Sequence, residues 1–109
     1  MAYDEDLDDR ITKIVSPWKK TEKRLMFGGA CYLMNGNMVA GVWKDFLILR
    51  LGTDGAEKAL ELPFARPFDV TGRAMKGWVM IEVPAVEDDG ELREWLEEAK
   101  RFVATLPPK

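Results

Sequence analysis

The side chains that most often carry chemistry are thinly supplied in this sequence. Its 109 residues include no histidine and one cysteine, Cys31. Serine–histidine and cysteine–histidine nucleophiles and histidine-ligated metals are thereby excluded, because the usual general base and the commonest zinc ligand are the same missing residue. Cys31 lies within an apolar run with no base that the sequence can assign to it, so it reads as a small buried hydrophobe. The pairs Asp88-Asp89 and Glu97-Glu98 are chain neighbours whose side chains point in different directions, which suits a solvated face better than an acid–base couple. Phe27-Gly28-Gly29 lacks the spacing and the following helix of a phosphate loop, and reads as a bulge or a close backbone approach. No catalytic set, metal site or cofactor is expected, and no enzymatic role.

The densest mixture of contact-forming residues runs from Phe64 to Trp78. It joins the cations Arg66, Arg73 and Lys76 to Phe64, Phe68, Trp78 and Met75. Connecting segments carry function out of proportion to their length, and arginine beside aromatics and methionine is the composition of contact surfaces. The candidate binding residues are therefore Arg66, Phe68, Arg73, Lys76 and Trp78. They fit a loop that contacts a protein partner. They also fit an anion or small-molecule site in which the cations hold a carboxylate or phosphate against an apolar wall from Phe64 or Trp78. A third reading pins the loop to the core through Phe64, Phe68 and Met75 and leaves its cations solvated.

Charge narrows the partners. The net charge is −3. Acid gathers at the start (Asp4, Glu5, Asp6, Asp8, Asp9), base follows (Lys13, Lys19, Lys20, Lys23, Arg24), and the last 25 residues are acidic again. Acid at the start of a helix with base at and beyond its end complements the helix dipole. Direct nucleic-acid binding, which rests on a net basic face, is not expected. The acidic start is unlike a cationic leader, and no apolar run reaches the roughly 20 residues needed to span a bilayer. A lone thiol suits a reducing compartment, so the cytoplasm is the expected location.

The elements that must position these residues follow from periodicity. Leu7, Ile11, Ile14 and Val15 make the stripe of a helix over Asp4–Val15, stopped at Ser16 by Pro17. Strands are expected at Leu25–Met34, Met38–Trp43 and Phe46–Leu51, joined by tight turns at Asn35-Gly36 and Lys44-Asp45. A short helix over Thr53–Leu60 carries Asp54 and Glu57 at capping-box spacing. A short strand near Phe68–Val70 and another at Trp78–Val83 follow. Asp88 and Glu91 then open a last helix with Leu92, Trp95, Leu96, Ala99, Phe102, Val103 and Leu106 on one face, ended by Pro107-Pro108. The order α-β-β-β-α-β-β-α implies an α+β fold: one domain over residues 1–109, a two-layer sandwich with an antiparallel sheet of about five strands and helices on one face. Met26, Tyr32 and Trp78 would leave an apolar patch on the sheet's outer side, suited to a homodimer.

Met26-Phe27-Gly28-Gly29, Asn35-Gly36-Asn37-Met38, Ala65-Arg66-Pro67-Phe68 and Gly72-Arg73-Ala74-Met75-Lys76-Gly77-Trp78-Val79 stand in an order and spacing that resembles the N-terminal domain of the TfoX/Sxy family. The resemblance extends from Tyr3-Asp4 to Leu106-Pro107-Pro108 and implies a two-layer α+β domain. Members of full length are associated with regulating competence for DNA uptake in bacteria as transcriptional coregulators. This sequence ends after its last helix, so the resemblance implies a stand-alone N-terminal domain without the C-terminal helical one. It transfers no catalytic residues. The function it implies is a non-enzymatic protein-interaction or regulatory domain.

Overall fold

The computed structural model describes residues 3–26, 28–69 and 75–108. Helix α1 spans Glu5–Val15 and α3 spans Asp89–Val103, and both begin as their sequences dictate. The Leu7 N–H donates to Asp4 Oδ1 at 3.0 Å and the Glu91 N–H donates to Asp88 Oδ2 at 2.9 Å, so each aspartate satisfies a donor that the helix itself cannot. Arg10 fastens the two helices: it donates to the Val86 and Glu87 carbonyls at 2.6 and 3.0 Å and to Asp89 Oδ1 at 2.9 Å.

Helix α2 starts differently. It covers Gly52–Ala59, and no side chain caps it. Asp54 falls inside the first turn, so the expected box with Glu57 does not form. A tertiary contact sets the start instead, since the Leu51 and Gly52 N–H groups both donate to the Gly77 carbonyl at 2.8 and 3.1 Å. Gly52 has φ +81° and lies under the Phe102 ring, where a Cβ would come within 2.6 Å of ring carbons.

The sheet has six strands: β1 Thr21–Met26, β2 Gly29–Met34, β3 Asn37–Trp43, β4 Phe46–Arg50, β5 Ala65–Pro67 and β6 Trp78–Glu82. They lie in the order β1-β2-β3-β4-β6-β5, and every pair is antiparallel. The α+β class and the general order agree with the sequence pattern. The refinement is at Leu25–Met34, which is a hairpin rather than one strand, with Met26 paired to Gly29 across the turn and Gly28 at φ +74°. Gly29 is a close backbone approach, as one reading of the glycine pair had it: a Cβ there would lie 2.1 Å from the Val42 carbonyl oxygen of β3. The short strand before β6 lies at Ala65–Pro67, three residues earlier than the expected Phe68–Val70. Phe68 leaves the ladder, its carbonyl accepting from the Met75 N–H at 3.0 Å, and Val70 falls outside the described residues.

The helices cover one face of the sheet. Leu7 and Ile11 from α1, Leu92 and Leu96 from α3, and Leu47, Leu49, Val79 and Ile81 from the central strands are fully buried together there. A 3-10 turn at Val83–Val86 places Val86 in the same core. Among the described residues no helix is long and apolar enough to cross a membrane.

Candidate functional site

Strand alternation sends every second side chain of the central strands to the face without helices. Pairing places Phe46 opposite Glu82, Ile48 opposite Met80 and Arg50 opposite Trp78 on that outer face, with Trp43 beside Phe46 and Arg66 beside Met80. Ile48, Phe68 and Met80 form a small second apolar cluster, with Met38, Trp43, Phe46 and Trp78 packed round it and half-buried. The Trp43 and Phe46 rings stack at 6.4 Å, and Phe68 meets Trp78 tilted at 5.6 Å. Two cations lie on these rings: Lys44 Nζ is 4.6 Å from the Trp43 centroid, and the Arg50 guanidinium is 5.2 Å from that of Trp78.

The five candidate residues fare unequally. Phe68 and Trp78 come together on the outer face, Phe68 as a buried member of its cluster rather than as an exposed contact. Arg66 is exposed on the edge strand β5, and its Nε and one terminal nitrogen both donate to Glu82 Oε2, at 3.1 and 2.9 Å. An anion at this strand would compete with that carboxylate for the guanidinium. Lys76 is exposed in the turn before β6, and Arg73 lies outside the described residues. Trp43, Phe46 and Arg50 complete the face although the sequence did not single them out. The signal was the alternation in Phe46–Arg50, where Leu47 and Leu49 take one side and Phe46, Ile48 and Arg50 the other.

Tyr32 corrects the expected outer patch. It faces the helices, 2 % exposed, because the turn after Met26 places Tyr32 on the face opposite to the one that a continuous strand would give it. The side chain of Met26 lies outside the described part. The Tyr32 hydroxyl donates to the carboxylate of Asp8, itself buried, and Lys23 Nζ lies 2.6 Å from the other oxygen of that carboxylate. Burial first, and then the hydrogen bond and charge of Asp8, push the Tyr32 phenol well above its ordinary value of 10.0. Thr12 donates to the Asp8 carbonyl at 2.8 Å. A cavity of about 240 Å³ opens beside this cluster, lined by Thr12, Ser16, Thr21, Lys23 and Tyr32 among others. The cluster fixes α1 to β1 and β2, and its polar groups satisfy one another rather than facing a ligand.

Cys31 is buried on the outer side of β2, and burial pushes its thiol above the usual range, which disfavours the thiolate that a nucleophile needs. Among the described residues, no three histidine, cysteine, aspartate or glutamate side chains gather closely enough to hold a metal ion. A groove of about 430 Å³ lies along α3, between Phe64, Ala85 and Trp95, with Glu91, Glu94 and Glu98 at its rim.

No curated protein and no solved structure matches this chain. A family model does: the TfoX N-terminal domain matches residues 13–103, from the last turn of α1 to the end of α3.

Proposed function

The chain belongs to the TfoX N-terminal domain family, a competence-related domain, and from that premise we propose that it is a non-enzymatic interaction domain with a regulatory role, binding a protein partner through the outer face of its sheet. The observation that carries this reading is the half-buried aromatic surface of Trp43, Phe46 and Trp78, on the face that no described helix covers. Aromatic rings with arginine close by are the residues on which binding energy concentrates when a partner excludes water from them. Arg66 pairs with Glu82 and Arg24 with Glu22 on the outer side of β1, and the two further cations, Arg50 and Lys44, rest on aromatic rings rather than forming a basic stripe. That composition suits a protein surface better than a phosphate backbone. Regulation of competence is the role that family membership supports most directly.

The reading is tested by partner recovery from cell extract. Phe46→Glu places a charge in the centre of the aromatic surface, and it is expected to abolish recovery of any protein that wild type retains. The Arg66→Ala, Arg73→Ala double variant is expected to weaken recovery without abolishing it. Equal recovery by wild type and Phe46→Glu, with the fold intact by circular dichroism, would remove the outer face from consideration.

A further inference from the structure

Strand β1 forms one edge of the sheet, paired with β2 on one side and, among the described residues, with nothing on the other. The Lys20 carbonyl accepts from the Asn35 N–H at 3.0 Å, which fixes the parity of the ladder. Lys20, Glu22, Arg24 and Met26 direct their backbone groups to β2, so Thr21, Lys23 and Leu25 direct theirs outward. An open row of this kind invites any extended strand, and charged side chains along it are the usual deterrent. The opposite edge is blunted more simply, since β5 has three residues and ends on Pro67, which has no N–H to offer. Edge β1 is longer, and it carries Leu25 at 70 % exposure, the most exposed of the large apolar side chains described.

We propose that β1 pairs antiparallel with β1 of a second copy of this chain, about a two-fold axis at Lys23. Outward-directed residues must face one another across such a pair, and two symmetric registers then keep five of the six strand residues paired. Centring the axis on Arg24 sets two guanidiniums directly opposite each other. Centring it on Lys23 sets Glu22 opposite Arg24 of the second copy, and Arg24 opposite Glu22, at the close non-hydrogen-bonded positions where cross-strand charge matters most. Thr21 and Leu25 then face each other, which covers part of Leu25. The two Lys23 residues meet at the axis, but each ammonium is already drawn to the buried carboxylate of Asp8 at 2.6 Å. Today Glu22 and Arg24 pair within their own strand at 3.1 Å, in full view of solvent, and exchange to the second copy keeps every charge matched. The same charges that repel an arbitrary strand therefore admit this one.

The product is a closed, isologous dimer with a continuous sheet of twelve strands, its two outer faces side by side. A single strand pair buries less than a standard interface, so assembly is concentration-dependent. This inference stands apart from the outer-face reading, because it uses the edge of the sheet and not its face.

Sedimentation velocity of the full chain from micromolar to millimolar concentration tests it. Wild type is expected to pass from monomer to dimer over that range. E22R and R24E each set like charges against like and are expected to weaken the dimer by at least about tenfold. An equimolar mixture of E22R and R24E restores opposite charges across the axis and is expected to form a heterodimer. That outcome also shows both variants folded. Phe46→Glu is expected to leave the equilibrium unchanged. A wild type that stays monomeric throughout, single variants that dimerise as wild type does, a mixture that fails to assemble, or a dimer lost in Phe46→Glu would each overturn the proposal.

Discussion

Strand β4 holds Leu47 and Leu49 towards the helices and Phe46 and Ile48 away from them, and the two sets sit in different surroundings. On the helix side the leucines are fully buried in a core shared by α1, α3 and the central strands, and the buried carboxylate of Asp8 is held by Tyr32 and Lys23. On the outer side three buried side chains are ringed by aromatics that keep part of their surface in water, with cations resting on two of the rings. One face therefore holds the larger closed core and the other is the face through which we propose that the domain binds, although both are built from the same strands. Substitutions on the two faces should separate folding from binding.

The largest difference is expected within β4 itself. Leu49→Ala opens a cavity in the closed core and should cost about 2–5 kcal/mol in urea unfolding. Phe46→Ala removes a ring that is only half-buried and should cost less than about 2 kcal/mol. Equal losses would mean that the outer face is as much a core as the inner one.

Next in size is Asp8→Asn, which takes the acceptor charge from Lys23 while Tyr32 keeps a partner. The lysine can rehydrate, because its side chain is 40 % exposed, so the expected loss is about 1–3 kcal/mol. The same cluster predicts a pH dependence. The Tyr32 phenol is raised in the folded state, so its contribution is fully present below its unfolded value of 10.0 and is lost as pH rises above that. Alkaline unfolding of wild type should therefore steepen above pH 10, and Tyr32→Phe should flatten that part of the curve.

Smaller effects test the helix ends. Asp88→Ala removes a formed cap from α3 and should cost ~1 kcal/mol. Asp54→Ala should stay within about 0.5 kcal/mol, because that carboxylate caps nothing in α2. A large effect at Asp54 would restore the capping box that its sequence suggests.

These cases mark what was legible in the residues alone. The Asp88 cap, the apolar stripes of α1 and α3 and the turn at Asn35-Gly36 depend on neighbours a few positions away, and each was readable, while Asp4, read as the first helical residue, is the cap of α1. The start of α2 depends on a carbonyl at Gly77 and has no local signature, whereas the hairpin at Met26–Gly29 had one in the Gly28-Gly29 pair, which also fits a bulge or a close approach within one continuous strand. The aromatic face was half-legible for the same reason. Alternation places Phe46, Ile48 and Arg50 on one side, but which side the helices cover is decided by the packing of α1 and α3. Phe68 and Trp78 stand together in the aromatic-rich segment that the sequence singles out and meet on the outer face, whereas the pairing of Arg66 with Glu82 needed the β5–β6 register.

The four tryptophans give the most direct test of the division between faces. Trp43 and Trp78 lie on the outer face, and Trp18 and Trp95 pack against the helix-side core, all four half-buried. Hydroxyl-radical footprinting of the chain, alone and with the protein that it recovers from extract, reads all four in one experiment. The account predicts protection of Trp43 and Trp78 on binding, with Trp18 and Trp95 unchanged. Protection of Trp18 and Trp95, with Trp43 and Trp78 still reactive, would contradict it.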